Sequence, residues 1–349
     1  MIRRLERYTR PYRRLTWTAP FLAVFAGPSA HAQWSIVIAD VPATVMRGTN
    51  LYLASANQVL DTDDIVESGA SGILLLQDDA GDVMELGPGT QALLESQAHV
   101  SLLKGWAKLS NDCTASSCTT PVVETERGTL TIGDHAAAIV AVVPTGPGSM
   151  SEVFSESGTQ KLNVFTNDPG APASVNLAEE QFASIAPNAA ADLRPRPSST
   201  FLAGMPIAFR DALRRVSVVG TPRNDLPTPL RPVSFADVSA WLTSALPARN
   251  QPETRFFDRF RPRLADTAFQ QQVERNLPAL PEWQVALQPA VPPQPSAKVA
   301  PKSLIVKAPP RTAEKGTPLV DGSASAPSAT DASKESGNWL TRFFKSFAK

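Results

Sequence analysis

Between residues 34 and 188 short apolar runs return about every ten residues, and turn-forming residues separate them. Examples are WSIVIA at 34–39, VMRG at 45–48, GILLLQ at 72–77, VMEL at 83–86 and AHVSLL at 98–103. TLTI at 129–132, AAIVAVV at 137–143, KLNVF at 161–165 and ASVNL at 173–177 continue the series. DDAGD at 78–82 and GPG at 87–89 supply left-handed and tight-turn residues. Runs of this length, bounded by Gly, Pro and Asp and with no helical periodicity between them, build many short strands joined by tight turns. The expectation is a mainly β fold, an antiparallel roll or sandwich, over residues 33–190.

The rhythm then changes. AFRDALRRV at 208–216 spaces apolar residues at helical intervals. Ser234 precedes an apolar-periodic run to Leu246, with Asp237 three residues on in the manner of a capping box. Phe269, Val273 and Leu277 recur at i, i+4 and i+8. Residues 197–288 therefore read as three or four short helices, either packed on the β unit or forming a small α domain. Pro222, Pro227, Pro229 and Pro232 make 220–232 extended.

From 289 to 337 the sequence is dominated by Pro, Ala, Ser, Lys and Thr, which cannot bury enough apolar area to offset ordering entropy, and reads as a disordered linker. The segment 338–349 is different. Trp339, Leu340, Phe343, Phe344 and Phe347 fall on one face of a helix, while Arg342, Lys345 and Lys349 add three positive charges. The eleven residues from Trp339 to Lys349 are marginal as an isolated helix in water. The stripe should fold on contact with a membrane surface, with a groove on a partner, or with its own domain; the basic and aromatic residues favour the first two.

The start of the chain reads as an export leader. Six arginines between Arg3 and Arg14 precede an apolar stretch of roughly a dozen residues, and Ala30-His31-Ala32 forms a small-residue cleavage site. Residues 1–32 are expected to be a signal peptide removed after Ala32, which places the protein in the periplasm. The whole chain has 33 basic and 33 acidic residues; removing six arginines and Glu6 leaves a net charge of −5. A mild negative balance argues against nucleic acid as a partner. In an oxidising compartment Cys113 and Cys118, in the polar stretch NDCTASSCTTP, read as a disulfide staple. Closing so short a loop contributes roughly 2 kcal/mol.

Residues 59–90 carry the pattern VLDTDDIVESG, GILLLQDDAG and VMELGPGT. An acidic opening, a small-residue turn, two apolar strands about an acidic turn, and a closing proline resemble the FecR periplasmic domain family. LLKGW at 102–106, VVET at 122–125, GTLTIG at 128–133 and VNLAEEQ at 175–181 resemble its later strands. The resemblance covers roughly 40–188. It implies a β-rich periplasmic domain and, in signalling relatives, regulation of a sigma factor through a cytoplasmic segment and a membrane helix. Here only 14 residues of basic peptide precede the apolar run, and Gly133-Asp134-His135-Ala136 stands where the family has Gly-Thr and an aromatic strand.

No catalytic constellation emerges from the residues. His99 and His135, the histidines beyond the leader, have no nucleophile motif beside them and read as structural or surface residues. There is no P-loop and no GxGxxG. Asp61, Asp63, Asp64 and Glu67 cannot be placed in an EF-hand register with both its glycine and its glutamate, and read as a solvated turn. Asp78, Asp79 and Asp82 read as hairpin residues. RFFDRFRPR at 255–263 reads as a helix with phenylalanines inward and arginine stems along its flank. The functional expectation is a non-enzymatic binding or scaffold protein of the cell envelope, without cofactor or metal, whose partner is an envelope protein or polymer. The alternatives are a signalling component coupled to a membrane transducer, and an envelope enzyme with an unrecognised site.

Overall fold

A computed structural model describes residues 34–78, 82–96, 98–112, 119–146, 148–165, 174–217, 221–224, 226–250 and 256–287. Alternating and β-branched runs become strands as expected. The chain forms β1 (Trp34–Ala39), β2 (Ala43–Arg47), β3 (Asn50–Ala54), β4 (Val59–Leu60), β5 (Ile65–Glu67) and β6 (Leu74–Gln77). Then come β7 (Val83–Leu86), β8 (Gln91–Leu94), the long β9 (His99–Asn111), β10 (Val122–Thr125), β11 (Gly128–Ile132) and β12 (Ala136–Pro144). The last are β13 (Ser149–Ser157), β14 (Gln160–Val164), β15 (Ser174–Leu177), β16 (Phe182–Ile185), β17 (Asp192–Arg194) and a two-residue β18 (Arg231–Pro232).

These strands make two sheets that share β9. The first runs β4-β1-β6-β7-β9-β12-β13-β16-β17, and the second β18-β3-β2-β5-β8-β9-β10-β11-β14-β15. Pairing is antiparallel except between β9 and β10, where His99 lies opposite Val122 and Ser101 opposite Glu124. The start of β9 belongs to the second sheet and its end to the first. The strand changes sheets at Gly105, whose φ of +96° is left-handed territory that only glycine enters cheaply. A Cβ there would sit 2.6 Å from the Cα of Thr90. Thr90 holds the bend, accepting from the Trp106 amide at 2.9 Å through its hydroxyl and donating to the Trp106 carbonyl at 3.1 Å.

The inner faces close on one core that includes Trp34, Ile36, Val45, Leu76, Leu102 and Val140. Part of each outer face is also covered, while the outer sides of β11, β14, β15 and β17 stay wholly or partly exposed. Ile139, Phe154 and Phe182 of the first sheet are covered by Phe201 of α1 (Ser199–Gly204), by Met205 and by Phe209 of the 3-10 turn at 207–210. Met46, Leu51, Ile65 and Leu93 of the second sheet are covered by α2 (Phe235–Thr243), α3 (Phe256–Phe260), α4 (Thr267–Arg275) and Trp283 before α5 (Gln284–Leu287). Burying one large side chain contributes about 1.5–3 kcal/mol, so each cap is firmly seated. The caps share their cores with the sheets.

Helix α2 begins at Ser234, whose amide and hydroxyl donate to Asp237 at 2.7 and 2.6 Å. Burial would raise the Asp237 pKa, but the Arg231 fork and these bonds outweigh it and bring it to about 2. The helix expected over 208–216 is not formed: after the 3-10 turn, residues 212–217 are irregular. Tertiary contacts override the local pattern there. Lys108 takes the carbonyls of Phe209 and Asp211, and the Val216 amide donates to Gln77 at 3.0 Å.

Candidate functional site

Three groups of sequestered charge sit where caps meet sheets. At the end of β2, Arg47 donates to both oxygens of Asp64 at 2.9 and 2.6 Å and pairs with Asp61 at 2.9 Å. Asp64 is buried, so the 61–64 turn is not the solvated acidic loop expected from sequence; its carboxylate is occupied by an arginine fork. Arg259 of α3 reaches the same corner and donates to the carbonyls of Met46 (2.7 Å), Gly48 (3.1 Å) and Asp63 (2.6 Å). Gly48 and Asp63 both have φ near +60°, so one guanidinium fixes two left-handed turns. Burial lowers the Arg259 pKa to about 10, which leaves it charged at neutral pH. Phe256 and Phe260 on either side are buried, in line with phenylalanines facing the core.

On the outer face of the first sheet, Lys108 is fully buried beneath the 207–211 segment. Its Nζ contacts Glu156 at 2.7 and 2.9 Å and donates to the carbonyls of Phe209 at 3.0 Å and Asp211 at 2.7 Å. Glu85 lies opposite Lys108 in the β7–β9 ladder. Burial raises the Glu85 pKa to about 7 although Lys108 pulls it down, and burial likewise raises Glu156. Asp82 is also raised to about 7, first by burial and then by Asp78.

The third group joins Glu95, just after β8, to His99 at the start of β9 and Glu124 in β10. His99 Nε2 is 3.6 Å from Glu95 Oε1 and 3.8 Å from Glu124 Oε2. The Ser101 hydroxyl touches Glu95 Oε1 and lies 3.1 Å from Glu124 Oε1, which also accepts from the Ala248 amide at 3.0 Å. Burial and then the charge of Glu95 raise the Glu124 pKa. The hairpin positions the first pair, because the amides of Glu95 and Ser96 both donate to the His99 carbonyl. The parallel β9–β10 ladder brings in the third.

Two clefts open at the seams. One, of about 240 Å³, is lined at one end of the first sheet by Ser110, Asp112, His135, Glu156, Glu179 and Leu213. His135 itself is exposed in the β11–β12 turn with φ of +52°. The other, of about 260 Å³, lies between the second sheet and α2; Met46, Leu51, Ile65 and Trp241 form its buried lining, and Glu67, Arg231 and Asp237 its more polar one. Cys113 and Cys118, residues 1–32 where a signal peptide is expected, and Trp339, Leu340, Phe343, Phe344 and Phe347 lie outside the described residues. Among the described residues no helix is long and apolar enough to cross a membrane.

No family model matches the chain, and no curated protein matches it. Two crystal structures from Parabacteroides distasonis, each described as a candidate anti-sigma factor, are similar to it at 13% and 12% identity with TM-scores of 0.31. Each likeness covers 40% of this chain, and 63% and 62% respectively of the other chain, less than two thirds of its length. The fold described above rests on the strands and their register.

Proposed function

We propose that this chain is a non-catalytic, FecR-like binding or scaffold protein of the cell envelope, exported to the periplasm and acting without a bound organic cofactor. The observation that supports this reading best is that an apolar patch on the outer face of each sheet is covered by the chain's own helices. The buried Lys108 and the partly buried Arg259 act there as staples, donating to backbone carbonyls of the elements they join. A framework stapled in this way presents a fixed surface, and its seam with α2 offers a cleft of mixed lining, with Glu67, Gln91, Arg231 and Asp237 around buried apolar side chains. Such a cleft suits a segment of a protein partner. The leader motif and the aromatic, basic C-terminal peptide are the sequence's contribution to the envelope assignment.

The test is site-specific photo-crosslinking in the periplasm. A crosslinking residue at Leu230, exposed and lining the α2 cleft, is compared with one at Ile207 on the opposite cap. Defined adducts from position 230 and none from 207 are expected. Adducts from neither position, or retention of the protein in the cytoplasm, would defeat the reading. Recovery of a membrane transducer in the adduct would move the assignment to signalling.

A further inference from the structure

We propose that Glu95, His99 and Glu124 form a binding site for a divalent first-row transition cation, with Zn²⁺ as the type. Each side chain offers one ligand atom, and the three atoms lie within 4.8 Å of one another. The distances from His99 Nε2, 3.6 and 3.8 Å, are too long for charge-assisted hydrogen bonds, which fall at about 2.7–2.9 Å. They are close to what a cation would impose. Ligands about 2.0–2.1 Å from a tetrahedral ion stand roughly 3.3–3.4 Å apart, so the two His99 distances need shifts of only a few tenths of an ångström, and the third separation is at most 4.8 Å.

The hydrogen bonding around the group points the same way. Glu95 is more than nine-tenths buried, yet its Oε2 has no hydrogen-bond partner among the described residues, and neither has His99 Nε2. The Ser101 hydroxyl carries one proton and touches one oxygen of each carboxylate, so it can satisfy only one of them. Beyond the Ala248 amide on Glu124, the two buried carboxylates share one hydroxyl proton, and neither has a full counter-charge in direct hydrogen-bond contact, which is costly in a low-dielectric setting. A divalent ion would neutralise both, give His99 Nε2 a partner, and give the Glu95 carboxylate a second one through Oε2 or, with Ser101 on one oxygen only, through Oε1. The outer contacts already orient the ligands: Ser101 and the Ala248 amide hold Glu124 Oε1, leaving Oε2 to face the imidazole.

Ligand type and access set the class of ion. One imidazole nitrogen with two carboxylates suits Zn²⁺ and its neighbours, whereas Ca²⁺ requires six to eight oxygens. The His99 side chain is 29% exposed, which gives an ion a way in from solvent. Because Ala248 belongs to the chain that follows α2, a bound ion would tie the β8–β9 turn and β10 to the edge of the helical cap. The inference stands apart from the proposed envelope role, since it needs no partner.

The experiment uses the mature chain, chelator-treated and kept oxidised, with any residual free thiol blocked by alkylation so that Cys113 and Cys118 offer no competing thiolate. Zn²⁺ titration followed calorimetrically should give one saturable equivalent and raise the Tm, while Ca²⁺ should do neither. His99→Gln should abolish saturation, Glu95→Gln and Glu124→Gln should weaken it roughly tenfold or more, and His135→Gln should leave it unchanged. If His99→Gln does not fold, the two isosteric glutamine variants decide. A wild-type Tm indifferent to Zn²⁺, or equal affinity in the wild type and the folded ligand variants, would overturn the site.

Discussion

Lys108→Met removes one buried charge while keeping an unbranched side chain of similar length, so no large cavity is opened. What it leaves behind is the Glu156 carboxyl, only 6% exposed, and the carbonyls of Phe209 and Asp211 without their donor. Breaking a buried ion pair from one side costs about 3–5 kcal/mol, and an orphaned carbonyl about 1–3 kcal/mol. These do not add fully, because the 207–211 segment can lift and let water reach the carbonyls; a loss of about 4 kcal/mol at pH 7 is expected. Urea denaturation read by far-ultraviolet circular dichroism and by tryptophan fluorescence measures it. Trp106, packed on Phe201 at 4.9 Å, reports the lifted cap. Burial already raises Glu156 and Glu85 while Lys108 opposes it, so removing Lys108 raises both further. A carboxyl with a raised folded pKa contributes least stability when ionised, so the deficit should be larger at pH 8 than at pH 5. Lys108→Met/Glu156→Gln should recover roughly half of it. A loss under about 1 kcal/mol, or one independent of pH, would refute the account of Lys108 as a staple.

Glu85→Gln should stabilise the protein by about 1–3 kcal/mol at pH 8 and hardly at all at pH 4, as measured by Tm across pH. The folded group binds its proton up to about pH 7 and the unfolded one only to about 4.5, so the native carboxyl loses stability as pH rises between those values. Gly105→Ala should cost about 2–4 kcal/mol in urea, from the positive φ and the collision with Thr90; a cost below about 1 kcal/mol would remove Gly105 as the obligatory bend. Arg259→Ala should cost about 2–4 kcal/mol and speed proteolysis of the helical cap, and Arg259→Lys should rescue little, because an ammonium cannot span three carbonyls. Full rescue by lysine would mean that charge alone matters.

The β-rich class was legible because its cause is local: GILLLQ, the acidic turn and VMEL specify a hairpin within fifteen residues, and β6 pairs with β7 as those residues imply. Helices α2 and α4 were legible for the same reason, from Ser234 with Asp237 and from Phe269 with Val273. The failure over 208–216 has the opposite origin, since Lys108 and Gln77, more than a hundred residues away, decide that backbone. Asp64 looked like a surface acid because its partner Arg47 lies across a strand pair. The Glu95–His99–Glu124 group was hidden most completely. His99 and Glu124 meet only through the parallel β9–β10 pairing, and a lone histidine among alternating residues carries no signal of that register.

The sharing of β9 between the sheets also bears on how the molecule is assembled in time. Strands pass to the two sheets in turn, singly or as consecutive pairs, so neither sheet is completed by a contiguous stretch of chain. The edge of β13 waits for β16, whose last residue is Ile185. Contacts separated so far in sequence delay closure and place the fold among slow folders, on the order of milliseconds to seconds. During that interval the nine-residue β13, already paired with β12 on one side, holds an open edge on the other, the kind of surface that recruits other chains. A nascent chain arrested before Phe182 would keep that edge exposed and aggregate, whereas one released after β16 can cover it with its own backbone.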